Sequence, residues 1–149
     1  MESRFGKILR VAVIGARGYV GKAISESLKN DTLTELVEVT RTNYEEKKKQ
    51  QYDIIINSSM PSKRFWAKQN PIQDFEETVR KTADLFYDWN YTKFIQVSSV
   101  SSRCQLDTVY GRHKAAAEQI CSSPNTLVIR LGPIFDDTLS KGVLVDMLQ

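Results

Sequence analysis

Short runs of apolar, largely β-branched residues alternate along this chain with segments whose apolar positions recur at helical spacing. Residues 7–14 (KILRVAVI) read as a buried strand, and residues 19–29 as a helix with Val20, Ile24, Ser27 and Leu28 on one side. Residues 36–40 (LVEVT) give a second strand, residues 44–51 a polar helical connector, and residues 53–57 (DIIIN) a third strand that is apolar on both faces. A loop over 58–71 leads to a long amphipathic helix over 72–90, with Phe75, Val79, Ala83, Phe86 and Trp89 or Asn90 at helical spacing. Residues 93–99 read as a fourth strand, 107–121 as a helix with Asp107 as its N-cap, and 126–131 as a fifth strand. From Gly132 onward the pattern defines no clear element.

Strands too apolar to face water, separated by helices, predict a parallel sheet covered on both faces. The expected fold class is therefore α/β, a doubly wound parallel sheet of five or six strands. Neither an internal repeat nor a low-complexity linker interrupts it, so residues 1–149 are expected to form one domain.

Composition narrows the function. Apolar residues make up 41% and charged residues 26%, as in ordinary globular proteins. The formal charge of +3 is too small to imply nucleic acid or an anionic membrane as partner. No apolar run approaches the length of a bilayer span, and no secretory apolar region opens the chain. Cys104 and Cys121 fit neither a paired-cysteine nor a zinc spacing, and His113 is the one histidine, so no metal site is expected. The expected setting is cytoplasmic.

The first strand runs into Gly15-Ala16-Arg17-Gly18-Tyr19-Val20-Gly21, a GxxGxxG turn directly before a helix. Gly15 permits the sharp turn, Gly18 a close approach of backbone to a pyrophosphate, and Gly21 close packing of helix on sheet. Backbone N–H groups at the helix start then bind phosphate. This strand-turn-helix context is what a dinucleotide site of the Rossmann type requires. Sheets that bind NAD commonly carry an acid about twenty residues further on, at the tip of the second strand. Here Arg41 stands at that place, and Glu38, the nearest acid, falls mid-strand by alternation. With Arg17 as a second cation, the expected cofactor is NADP, which carries a 2′-phosphate, with NAD as the alternative.

Tyr110-Gly111-Arg112-His113-Lys114 places a tyrosine and a lysine on one helix face, which Ala117 and Cys121 continue with small side chains. The same spacing recurs in Tyr44–Lys48, so position must decide between them. Tyr110 follows the fourth strand, whose end is Ser98-Ser99, and strand carboxyl ends line the ligand crevice in such sheets. Tyr44 precedes a polar connector and is expected at the surface. Bringing a tyrosine pKa from ~10 toward neutrality takes roughly 4 kcal/mol in favour of the phenolate. A neighbouring ammonium supplies part of that, and a serine hydroxyl steadies a developing alkoxide.

GARGYVG, the paired serines at the end of strand four, and YGRHK followed by AAAE together resemble the short-chain dehydrogenase/reductase superfamily. The likeness is to its extended branch of nucleotide-sugar epimerases, dehydratases and reductases, and the glycine loop and the Thr40-Arg41 pair resemble the NADP-dependent GDP-fucose synthase type. It covers about residues 7–137. The resemblance implies that Tyr110 is the acid–base, that Lys114 orients the ribose and lowers the tyrosine pKa, and that Ser99 polarises the substrate. It further implies that Asn57 and Ser58 border the cofactor and that Gly132 and Pro133 border the nicotinamide end. The expected partner is a small molecule, a nucleotide-linked sugar reacting at a carbonyl or hydroxyl carbon, with a homodimer compatible. Members of this branch continue into a substrate-binding portion, which is expected to be short or absent in a chain ending at Gln149. The alternative expectation is a module that senses NADP(H) or binds a partner without turnover.

Two departures from the family pattern are visible. The strand–helix unit between the second strand and DIIIN is reduced or missing, and Phe75, Glu76 and Glu77 stand where this branch commonly has a structural asparagine. His113 is expected on the helix surface or crevice rim, and Phe65 and Trp66 are expected to pin the 58–71 loop to the body. Lys63, Arg64 and Trp66 of that loop also qualify as contacts for a substrate phosphate or base.

Overall fold

The computed structural model describes residues 6–134. In chain order these form β1 (Leu9–Ile14), α1 (Tyr19–Lys29), β2 (Thr34–Val39), α2 (Tyr44–Lys48), β3 (Gln51–Asn57) and α3 (Arg64–Gln69). A long helix follows in three parts, α4 (Pro71–Phe75), a π-helical turn (Glu76–Arg80) and α5 (Lys81–Asp88). Then come β4 (Asn90–Ser99), α6 (Ser101–Cys104), α7 (Val109–Ile120) and β5 (Thr126–Leu131). The strands form one sheet in the order β2-β1-β3-β4-β5, and every pairing is parallel. This is the α/β, Rossmann-like sheet that the strand–helix alternation predicts, with five strands among the described residues.

Three local expectations shift. The 58–71 loop contains a helix, α3. The helix carrying Tyr110 starts later than expected, and its cap is Thr108 rather than Asp107: the Thr108 hydroxyl accepts the Gly111 N–H at 3.0 Å. On α1 the most buried side chain is Ser25, whereas Ser27 is exposed.

The long helix also buries a different face. A π turn takes up an extra residue and rotates everything on one side of it. Asp74, Thr78, Val79, Thr82 and Leu85 are therefore buried, while Phe75 is exposed. The core lies on this side of the sheet, where Ala12, Val37, Ile55 and Phe94 sit in one register row beneath Leu85, Trp89 and Cys121.

The opposite face is barer than expected. Three crossovers, β2 to β3, β3 to β4 and β4 to β5, step across the sheet in one direction, and right-handed connections put their helices on one face. Only the β1-to-β2 crossover steps the other way, which leaves α1 on the other face. Leu127 and Ile129 of the edge strand β5 are 56% and 40% exposed, so cover on both faces is not met there among the described residues.

Leu85 is fully buried among aromatic neighbours. Leu85→Ala is expected to lower unfolding stability by about 2–5 kcal/mol through lost burial and a residual cavity. Urea denaturation followed by circular dichroism measures it.

Candidate active site

Parallel pairing brings all five strand carboxyl ends to one edge of the sheet. The chain leaves β1 on one side for β2 and returns on the other for β3, so the switch point lies between Ile14 and Asn57. Crevices at such switch points bind ligands in open α/β sheets.

The glycine turn sits on this point. Gly15 has φ +77°, and a Cβ on it would lie 2.7 Å from Ser59 Cα. At Gly21 a Cβ would lie 2.0 Å from the Gly15 carbonyl oxygen, so α1 can begin this close to the strand only without a side chain there. Gly18 is different: it is exposed, and a Cβ would approach nothing nearer than 3.4 Å. Its space faces outward, before Tyr19 and Val20 open α1.

Beside the turn, Ala16, Arg17, Glu38, Thr40, Thr42 and Asn43 line an open hollow at the end of β2. Arg41 does not line it. Its side chain is 88% exposed and its guanidinium lies 3.9 Å from Glu77, so the expected convergence of Arg17 and Arg41 is not formed. Glu38 is the penultimate residue of β2 and reaches the hollow, where it pairs with Lys29 at 3.3 Å. The mid-strand place that alternation predicts for it is therefore not where it lies.

Asn57 and Ser58 end and follow β3, but their side chains serve the protein interior. The Asn57 amide donates to Gln96 Oε1 at 2.9 Å and to Thr82 Oγ1 at 3.3 Å, and its oxygen accepts from the Ser59 hydroxyl at 2.7 Å. The Ser58 hydroxyl donates to the Ile14 carbonyl at 2.6 Å and lies beside Gly21. Pro133, two residues past β5, is exposed.

Ser99, Tyr110 and Lys114 do come together. Ser99 ends β4 close enough to the buried Tyr110 of α7 to pull its pKa down. Lys114, one turn along, is 3% exposed, and its Nζ lies 4.9 Å from the centre of the Tyr110 ring. The ammonium donates to the Pro61 carbonyl at 2.8 Å. Burial pushes the Tyr110 pKa up, against the opposing pull of Ser99 and the positive charge of Arg64. Burial also drives Lys114 down to about 7, which the negative charge of Asp74 resists. The groups that pull the tyrosine down as these side chains stand are Ser99 and Arg64, not the Lys114 that the resemblance implies, and desolvation outweighs them.

Three contributors escaped the sequence reading. Arg64 of α3 lies 5.9 Å from the Tyr110 ring centre, Pro61 supplies its carbonyl, and Asp74 supplies a buried carboxylate. The sequence offers Arg64 as a contact for a substrate phosphate or base, not as a neighbour of Tyr110. Phe65 does not pin its loop, being 76% exposed, whereas Trp66 is half-buried. For Asp74 the only signal was an acid beside Phe75 in an amphipathic segment.

The second tyrosine–lysine spacing has a separate explanation. The Tyr44 hydroxyl donates to Asp84 at 2.5 Å and Lys48 donates to the same carboxylate at 2.8 Å, while the Tyr44 ring meets Trp89 edge-on at 5.1 Å. Burial and the Asp84 charge raise the Tyr44 pKa. Tyr44 is therefore half-buried rather than a surface residue, and the pair ties α2 to α5.

Gly21→Ala is expected to cost at least about 1–3 kcal/mol, because backbone must move to admit the methyl group. Gly18→Ala, with space available, serves as the control in the same thermal melts. For Lys114 the sign is set by the unfolded chain, which holds the proton at pH values where the folded chain has released it. Stability therefore rises with pH above about 7. Lys114→Met is expected to flatten that rise, as read by urea denaturation at pH 6 and pH 9.

No family model matches the sequence, and no curated protein matches it. Solved structures do match. dTDP-4-dehydrorhamnose reductase from Bacillus anthracis, in complex with NADP, superimposes with a TM-score of 0.73 at 18% identity over 87% of this chain and 55% of that one. A dTDP-4-dehydrorhamnose reductase from Clostridium acetobutylicum gives 0.75 at 12% identity, over 94% of this chain and 58% of that one. A human epimerase family protein with NADPH gives 0.72 at 16% identity, over 94% and 58%. The chain thus spans little more than half the length of these structures. It has the fold of the proteins that its motifs resemble, the Rossmann-like parallel sheet of dTDP-sugar reductases and epimerase-family proteins.

Proposed function

We propose that this chain is the cofactor-binding and catalytic core of an NADP-linked oxidoreductase or epimerase of the extended short-chain dehydrogenase/reductase branch. Its substrate is a carbonyl or hydroxyl carbon on a nucleotide-linked sugar. The observation that carries the reading is the meeting of Ser99, Tyr110 and Lys114 at the strand-end edge that also holds the Gly15–Gly21 turn. NADP and NADPH in the structures of similar fold support the cofactor.

The residues fit a dinucleotide. The N–H groups of Gly15, Ala16 and Gly18 are bonded within the protein, so a phosphate draws on the start of α1 that follows, and the exposed Gly18 leaves room for a pyrophosphate there. Arg17 is the cation for a 2′-phosphate, with Thr40 and Thr42 beside it in the hollow. Such a cofactor supplies the hydride. The Ser99 hydroxyl donates to the substrate carbonyl oxygen, and Tyr110 gives that oxygen its proton as the alkoxide develops. Burial keeps Tyr110 protonated, which is the form needed to donate in the reductive direction. Lys114 orients the ribose and, when charged, stabilises the phenolate left behind.

A second reading, an NADP(H)-binding module without turnover, draws on the hydrogen bond that already engages Lys114 with the Pro61 carbonyl. Fluorescence titration with both cofactors and a turnover assay on 4-keto sugar nucleotides separate the two. NADPH is expected to bind about tenfold or more tighter than NADH, the value of one charge-assisted contact. Tyr110→Phe is expected to lower turnover by about 10²-fold or more with NADPH affinity unchanged. Equal affinities would sink the role of Arg17, and full turnover by the Tyr110 variant would sink the catalytic assignment. Tight NADPH binding with no turnover on any substrate would favour the module.

A further inference from the structure

Tyr110 and Lys114 lie beneath their own chain, with 7% and 3% of their surfaces exposed. An acid–base must touch its substrate, and a lysine that orients a ribose must touch that ribose. Part of the cover is the segment between β3 and α3, together with the first residue of α3. The Pro61 carbonyl takes the Lys114 ammonium at 2.8 Å, and the Arg64 guanidinium lies 5.9 Å from the Tyr110 ring centre. The segment is anchored unevenly. At its start the Ser58 hydroxyl and N–H both donate to the Ile14 carbonyl, at 2.6 and 3.0 Å, and the Ser59 hydroxyl donates to Asn57 at 2.7 Å. Beyond that, residues 60–62 take part in no backbone-to-backbone hydrogen bond among the described residues. Two side-chain contacts hold them instead: the Gln96 amide donates to the Met60 sulfur at 3.3 Å, and Lys114 donates to Pro61. Thioether sulfur is a weak acceptor. A stretch without backbone hydrogen bonds opens at lower cost than the elements around it.

We propose that residues 60–63 are a strap closed over Lys114, latched by the Lys114–Pro61 hydrogen bond, and that a cofactor ribose enters by taking the Lys114 ammonium from the Pro61 carbonyl. The inference rests on the reading of Tyr110 and Lys114 as the couple that meets cofactor and substrate. Ser59 and α3, which packs against α7, are the two fixed ends of the strap, and Arg64 stands at its far end over Tyr110. The exchange is near balance by its chemistry. Lys114 gives up one neutral oxygen acceptor for another, and the Pro61 carbonyl, next to the exposed Ser62 and Lys63, passes to water. A ligand that binds only the open form then shifts the strap by its own affinity.

Each tie can be released in turn while the other is read, in the full chain and without cofactor. Lys114→Met removes the latch, and the buried Met60 is then read by its rate of oxidation to the sulfoxide with hydrogen peroxide, followed by peptide mass spectrometry. Met60→Ala removes the second tie, and Lys114 is read by its rate of acylation with acetic anhydride relative to the exposed Lys93. Each rate is expected to rise about fivefold or more. A variant of either kind that is folded by circular dichroism and reacts at the rate of the parent chain overturns the strap, and one variant serves if the other does not fold. Saturating NADP⁺ on the parent chain is expected to raise Met60 oxidation by a similar factor. Bound NADP⁺ with Met60 oxidation unchanged or slowed overturns the exchange at Lys114. Tryptophan fluorescence titration of the same samples shows whether NADP⁺ binds. No binding sinks the cofactor reading, while the two variant rates still decide the strap.

Discussion

The hydrogen bond between Asn57 and Gln96 holds this structure together at the place where it matters. Both side chains are fully buried, they face each other in register where β3 ends beside β4, and the Asn57 amide donates at 2.9 Å. In a low-dielectric interior such groups must be satisfied by one another. Thr82 of α5 closes the set by hydrogen bonds with both amides. The same two residues fasten the following loop, because Asn57 accepts from Ser59 and Gln96 donates to Met60. One polar cluster therefore fixes the tip of β3 against β4, the long helix and the segment that reaches Lys114 through Pro61.

From that anchor the electrostatics of the site follow. Helices α3, α4 and α7 pack over the loop and exclude water from Tyr110, Lys114 and Asp74. Desolvation then works on both titratable partners in opposite senses of charge. It holds the phenol protonated and loosens the proton on the ammonium. Ser99 and Arg64 oppose it on the first, and the Asp74 charge opposes it on the second. A tyrosine and a lysine four residues apart are thus insufficient to define the chemistry, which depends on charges brought in from two other helices. Tyr44 and Lys48 make the point from the other side. Given a shared aspartate and a tryptophan face, the same spacing becomes a clamp between helices.

Much of the architecture was legible in the residues. The helix over Tyr19–Lys29 and the strand over Thr126–Leu131 stand where periodicity put them, because both have capping or turn residues at their ends and apolar positions that only one period fits. The glycine turn was legible because backbone crowding at Gly15 and Gly21 admits no other residue. Ser99, Tyr110 and Lys114 were legible because parallel topology sends strand ends and helix starts to one edge.

What lay outside the reach of the sequence shares a physical cause: it depends on contacts between elements distant along the chain. The π turn at Glu76–Arg80 rotates the buried face of its helix through packing and has no periodic signature. Asp74 meets His113 across 39 positions, and Lys114 meets Pro61 across 53. Arg41 turns to Glu77 rather than to the hollow beside Arg17, and Asn57 turns inward to Gln96. Local pattern sets which segments become strands, helices and glycine turns, since those depend on spacing within a few residues. Which charged side chains then face one another is set by packing, because Coulomb forces and desolvation act on neighbours in space.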